Sequence, residues 1–111
     1  MNIAIDFDGV LMNPKDKNPG YRMGQPEPGA VVAITRLFKM GHQIFIFTAR
    51  NVNKPEAYKA VADWLDYYSI PHHGITNIKQ PYFDVMVDDR GLRYDSWPAT
   101  LARLTKLDKQ Q

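Results

Sequence analysis

The sequence predicts an α/β fold, a parallel sheet of four to five strands covered by helices on both faces. Three observations carry this. Short apolar, β-branched or aromatic runs recur at Asn2 to Ile5, Gln43 to Phe47, His73 to Ile75 and Asp84 to Val87. Between them lie segments whose apolar residues fall at helical spacing, and acidic pairs follow the first and last runs. Strands that alternate with helices imply right-handed crossovers, which make neighbouring strands parallel and leave helices to cover them. With 111 residues, 44% of them hydrophobic, the chain has room for one core, so residues 1–111 are expected to form a single domain.

The first strand, Asn2 to Ile5, is a short buried run that delivers Asp6 to its tip. From Leu11 to Pro28, four prolines and two glycines interrupt a polar stretch, so no regular element is expected there. A loop of that length beginning beside an acidic pair is a candidate substrate flap, spanning residues 11–28. Ala30, Ala33, Ile34, Leu37 and Phe38 mark one face of a helix over Ala30 to Met40, which Gly41 stops. Gln43 to Phe47 is the second strand, with Thr48, Ala49 and Arg50 at its carboxyl end. Asn53 is the expected cap of a helix with Pro55 in its first turn, whose apolar positions are Ala57, Val61, Trp64, Leu65 and Tyr68. Pro71 ends that pattern. The third and fourth strands follow, the fourth ending at Asp88 and Asp89, and a closing helix runs from Trp97 to Leu107 with Ser96 as its cap.

Composition narrows the function classes. A formal net charge of +2 is too small for bulk nucleic-acid binding, while a pI of about 8.9 tolerates anionic small molecules. The chain has no Cys, which removes disulfides, thiolate metal sites and cysteine nucleophiles. No apolar run approaches the length of a membrane span, so a cytoplasmic protein without membrane contact is expected.

The chemistry concentrates in Asp6-Phe7-Asp8-Gly9-Val10. In an open α/β sheet, ligands bind beyond the carboxyl ends of the strands, where this pair stands. One carboxylate can bind a cation or attack an electrophile while the other, aimed differently by the turn at Gly9, carries a proton. The competing interpretation is an Asp turn that solvates a strand end. Asp88 and Asp89 close a later apolar strand, and two such pairs can converge on one cation. All of these are hard oxygen donors, which favours Mg²⁺ over Zn²⁺. His72 and His73 are neighbours that would point to opposite faces of a strand, so they are expected to be structural or surface residues.

These residues resemble the ordered motifs of the haloacid dehalogenase-like (HAD) phosphatases. Asp6-Phe7-Asp8-Gly9-Val10 is similar to the first motif, Phe47-Thr48 to the second, Lys79 to the third and Asp88-Asp89 to the fourth. The resemblance implies a Rossmann-like fold and a phosphoric monoester hydrolase working through an aspartyl phosphate. Asp6 would be the nucleophile, Asp8 the acid and base, and Thr48 and Lys79 would neutralise the phosphoryl oxygens. Mg²⁺ would be held by Asp6, Asp8 and Asp89, with Asp88 a direct or water-mediated ligand. Arg50 and Arg90, each just after a motif, are candidates to grip the substrate phosphate or to orient the acidic pair.

The chain leaves no room for a separate cap domain, which implies a large substrate or a homo-oligomer whose partner subunit covers the site. The expected substrate is a phosphorylated small molecule, a sugar phosphate or nucleotide. The alternatives are a phosphatase for nucleotides or nucleic-acid 3′ ends, suggested by the Arg placements, and a noncatalytic module that binds Mg²⁺ or phosphate. A receiver-type phosphoacceptor fits less well, because here the DxDG motif opens the chain.

Overall fold

The computed structural model describes residues 1–17, 23–88, 92–93 and 96–109. Along the chain come β1 (Asn2–Asp6), β2 (Met12–Lys17), β3 (Gly24–Pro26), α1 (Ala30–Lys39), β4 (Gln43–Phe47), α2 (Pro55–Tyr67), β5 (Gly74–Thr76), β6 (Val85–Asp88), β7 (Leu92–Arg93) and α3 (Trp97–Lys109). Five strands pair in parallel in the order β5, β4, β1, β6, β7. The fold is therefore the Rossmann-like α/β sheet flanked by helices that the sequence predicts, and β7 is a short edge strand that no apolar run announces. Connections from β1 run outward through β4 to β5, whereas β6 and β7 lie on the other side. The strand order thus reverses at β1, and the crevice at its carboxyl end is where such sheets bind ligands.

Register explains why β1 is central. Ile3 and Ile5 pair with Ile44 and Ile46 on one side, and Ile5 pairs with Val87 on the other. Paired residues of parallel strands share a face. This row is fully buried, and it joins one cluster with Ile34 and Leu37 of α1, Trp64 and Leu65 of α2, and Trp97 and Leu104 of α3. The opposite row is covered differently. Ala4 is buried there, but Phe45, Phe47 and Met86 are only partly so, and Phe45 meets the rings of Phe83 at 5.2 Å, Tyr82 at 5.7 Å and His73 at 6.2 Å. These rings come from the coil around β5 and β6. Residues 77–84, which join those strands and include Pro81, are too few for a crossover helix.

Local chemistry accounts for the boundaries. α1 stops at Gly41, whose φ of 93° lies in the left-handed region that a side chain would strain, and His42 N–H returns to the Leu37 carbonyl at 3.2 Å. Ser96 caps α3, its Oγ accepting from Ala99 N–H at 3.4 Å. The cap of α2 is Lys54 rather than Asn53, and no side chain bonds there. A residue before proline is held extended, so Lys54 (φ −84°, ψ 128°) leads into Pro55 as the first helical residue and offers its carbonyl to the Ala57 and Tyr58 amides.

Residues 11–28 are the main departure from the sequence prediction. Instead of an irregular loop, β2 and β3 form an antiparallel ribbon whose register shifts between its two ends. The shift falls between Met12 and Lys17, the stretch that contains Pro14. The base of the ribbon is bound to the core. Trp64 Nε1–H donates to the Gly24 carbonyl at 2.8 Å, Glu27 N–H to the Leu11 carbonyl at 2.8 Å, and Trp97 Nε1–H to the Val10 carbonyl at 3.1 Å. Among the described residues no helix is long and apolar enough to cross a membrane.

Ile46 has no exposed surface and packs in the central row. Ile46→Ala should lower the free energy of unfolding by about 2–5 kcal/mol, read from urea denaturation midpoints at unchanged slope.

Candidate active site

β1 carries Asp6 to the carboxyl edge of the sheet, one residue beyond the pair Ile5 and Val87. Asp88 stands at the same level on β6. Pleat alternation turns both to the face opposite the buried isoleucines, on strands about 4.8 Å apart. The chain then tightens. Phe7 N–H extends the ladder to the Phe47 carbonyl at 2.9 Å, while the Phe7 carbonyl accepts from Leu11 and Met12 at 3.1 and 2.9 Å. Gly9, at φ 83°, supplies the left-handed step that closes this turn. Asp8 is left on the turn, 43% exposed, and Phe7 between the two acids points into the core.

Thr48 extends β4 by one residue and is fully buried, with its N–H on the Thr76 carbonyl at 2.9 Å. Its Oγ1 accepts from Arg50 N–H at 3.1 Å, which folds the chain back toward the acids. Arg50 then reaches Asp8. Nη2–H donates to Oδ1 at 2.9 Å and Nε–H to Oδ2 at 3.3 Å, so both carboxylate oxygens face one guanidinium. The same guanidinium lies over the Phe7 ring, 5.7 Å from its centroid. Phe7 is held in turn by Trp64, edge-on at 5.1 Å. The core thus supports a platform under the one ion pair at this edge among the described residues.

Lys79 lies in the coil after β5, three residues past Thr76, and is exposed. β5 is separated from β1 by β4, so Lys79 approaches from the flank, and it makes no hydrogen bond or ion pair among the described residues. The structure therefore joins Asp8, Arg50 and Thr48 in one bonded group, sets Asp6 and Asp88 level on adjacent strands, and leaves Lys79 past the end of β5, two strands from β1. Asp89 and Arg90 lie outside the described residues. The two histidines are used locally. Ile44 N–H donates to His73 Nδ1 at 2.9 Å, and His72 Nδ1–H donates to the Ile70 carbonyl at 3.0 Å.

Among the described residues no three His, Cys, Asp or Glu side chains gather into a metal-holding group. The donors at hand are the carboxylates of Asp6 and Asp88 and the main-chain carbonyl of Asp8. An oxygen-only set of that kind suits a hard cation that keeps several waters, which describes Mg²⁺. The platform residues Phe7 and Trp64 carry no sequence signal of their own beyond hydrophobicity. The hint was positional, since the residue between two edge carboxylates on a strand must face the core.

No family model and no curated protein matches this sequence. Solved structures do match it. A conserved protein of Bacteroides thetaiotaomicron superposes with a TM-score of 0.74 at 19% identity, over 96% of this chain and 90% of that one. A protein of Vibrio cholerae gives 0.61 at 20% identity over the whole of both chains. A chain of the Pnkp1/Rnl/Hen1 RNA repair complex gives 0.55 at 13% identity, over 93% of this chain but 30% of that one. At such identities the likeness establishes the fold.

Asp8 and Arg50 are 43% and 39% exposed, so solvent screens their pair. Asp8→Asn should cost less than about 1 kcal/mol in unfolding free energy by chemical denaturation, far below the core substitution above.

Proposed function

We propose that this protein is a Mg²⁺-dependent phosphatase of the HAD type, hydrolysing a phosphate monoester through an aspartyl phosphate on Asp6. One observation supports this most: Asp6 and Asp88 stand on adjacent strands at the reversal point of the sheet, with Asp8 on the turn beside them. A carboxylate cannot approach an anionic phosphoryl group unless positive charge offsets the repulsion. Arg50, the Thr48 hydroxyl and Lys79 are the groups of this chain that would bind the phosphoryl oxygens, with Arg90 as a further candidate. Asp6, Asp88, Asp89 and the Asp8 carbonyl would hold Mg²⁺, which supplies the remaining charge neutralisation.

The chemistry divides between the two acids of the first motif. An Asp6 oxygen attacks phosphorus and the ester P–O bond breaks, while Asp8 gives its proton to the departing alkoxide. Water then attacks the phosphorus of the acyl phosphate and loses its proton to Asp8. Phosphate leaves, and the Asp6 carboxylate is regenerated.

The substrate class proposed is a phosphorylated small molecule of the cytoplasm, a sugar phosphate or nucleotide; an uncovered crevice would also admit a larger substrate, and a partner subunit in a homo-oligomer would supply a lid. A 3′-phosphorylated nucleic-acid end is the second substrate class. It is favoured by the exposed Arg50 beside the acids and by the fold likeness to a chain of an RNA repair complex.

Turnover of para-nitrophenyl phosphate should require Mg²⁺ and fall at least about a hundredfold in Asp6→Asn and in Asp8→Asn, with both variants folded by circular dichroism. Undiminished hydrolysis by Asp6→Asn removes it from the nucleophile role. Mg²⁺ alone should raise the melting temperature of the wild type, as any ligand of the native state does, and leave Asp6→Asn unmoved. A noncatalytic module would keep the Mg²⁺ shift and show no turnover.

A further inference from the structure

We infer that the Asp8–Arg50 pair is the resting half of an exchange: an incoming phosphoryl group takes the guanidinium, and Asp8 is thereby released to transfer protons. What Asp8 does once released rests on the phosphatase reading above; the exchange itself concerns binding.

Geometry motivates it. Each oxygen of Asp8 accepts a hydrogen bond from Arg50, at 2.9 and 3.3 Å. A carboxylate gripped at both oxygens is oriented to the guanidinium rather than to a leaving group. The fork that grips it is the same arrangement of N–H groups that matches two oxygens of a phosphoryl group. One guanidinium cannot present that edge to both, so carboxylate and phosphate compete for it.

Three features let the exchange proceed without rebuilding the site. The Arg50 main chain is pinned, because its N–H donates to Thr48 Oγ1 at 3.1 Å, so only the side chain has to move. Its guanidinium rests on the face of Phe7 at 5.7 Å, a contact without in-plane direction that permits sliding, while Phe7 itself is fully buried against Trp64. Both partners are more than a third exposed, so breaking the pair gives up a weak, screened interaction. A phosphate dianion brings more charge and more acceptors than a carboxylate, which sets the direction. Occupancy of the site would then be coupled to readiness of the acid, and a ligand without a phosphoryl anion would leave Asp8 engaged.

The test is a double-mutant cycle on the binding of inorganic phosphate, followed by calorimetry on the wild type, Asp8→Asn, Arg50→Ala and the double variant. Exchange predicts that Arg50→Ala weakens phosphate binding and that Asp8→Asn tightens it roughly twofold to fivefold. The tightening should largely disappear when Arg50 is already Ala. Equal tightening in both backgrounds would reduce Asp8 to a general repulsive charge and overturn the exchange. So would an unchanged affinity in Asp8→Asn, or the absence of phosphate binding in all four proteins. Turnover of para-nitrophenyl phosphate separates this from the phosphatase reading. Coupling without turnover keeps the exchange and discards the enzyme, and turnover without coupling does the reverse.

Discussion

The in-register burial of β1 between β4 and β6 is the constraint on which everything else depends. Ile3 and Ile5 are flanked by Ile44 and Ile46 on one side and by Val87 on the other, and all of them are removed from water. A slip of one residue in either pairing would turn this row to the half-covered face and bring the row of Ala4, Phe45 and Met86 against the helices. The same rows that hold the sheet therefore fix where its edge falls. Asp6 and Asp88 reach that edge at one level, with Thr48 one residue further along, because the apolar residues before them are paired. Residues distant in the chain are thus brought to one edge by hydrophobic register.

That dependence explains what could be read from the sequence. β4 spans Gln43–Phe47 as expected because an alternating β-branched and aromatic run bounded by Gly41 and Thr48 has one good solution. The helices of Ala30 and Trp97 were legible for the same reason, and the acidic pair at the tip of β1 followed from strand geometry. The ribbon of β2 and β3 was not. Its prolines and glycines argue against regular structure when scored locally, but the segment is held at its base by Trp64 and Trp97, which are distant in sequence. β7 has two residues and no pattern to read. Asn53 lost the cap of α2 because proline imposes its own geometry one residue later, a local rule that outranks side-chain preference. At the site, the sequence offered two roles for Arg50, gripping phosphate or orienting the acids. Choosing between them takes distances.

Those distances make the two roles compatible. Arg50 is tethered through its main chain to Thr48, supported by an aromatic ring, and bonded to Asp8 across 42 residues of sequence. A guanidinium so placed orients Asp8, and in the proposed exchange the same edge would turn to an incoming anion. The platform beneath it is rigid because Phe7 belongs to the core cluster. Mobility is confined to the last bonds of one side chain, where an exposed ion pair costs little to rearrange.

The ribbon belongs to the same assembly. It rises directly from the turn that holds Asp8: the Gly9 amide donates to the Met12 carbonyl at 2.9 Å, and Asp8 and Met12 form a bridge where β2 begins. The Trp64 ring that packs edge-on against Phe7 also donates its N–H to the Gly24 carbonyl in β3. One indole thus supports both the ring beneath Arg50 and the returning strand of the ribbon. Anything that displaced the ribbon would disturb the contact at Gly24 and, through it, the platform on which Arg50 rests. The segment that reads as a loop in the sequence is mechanically continuous with the turn that carries Asp8.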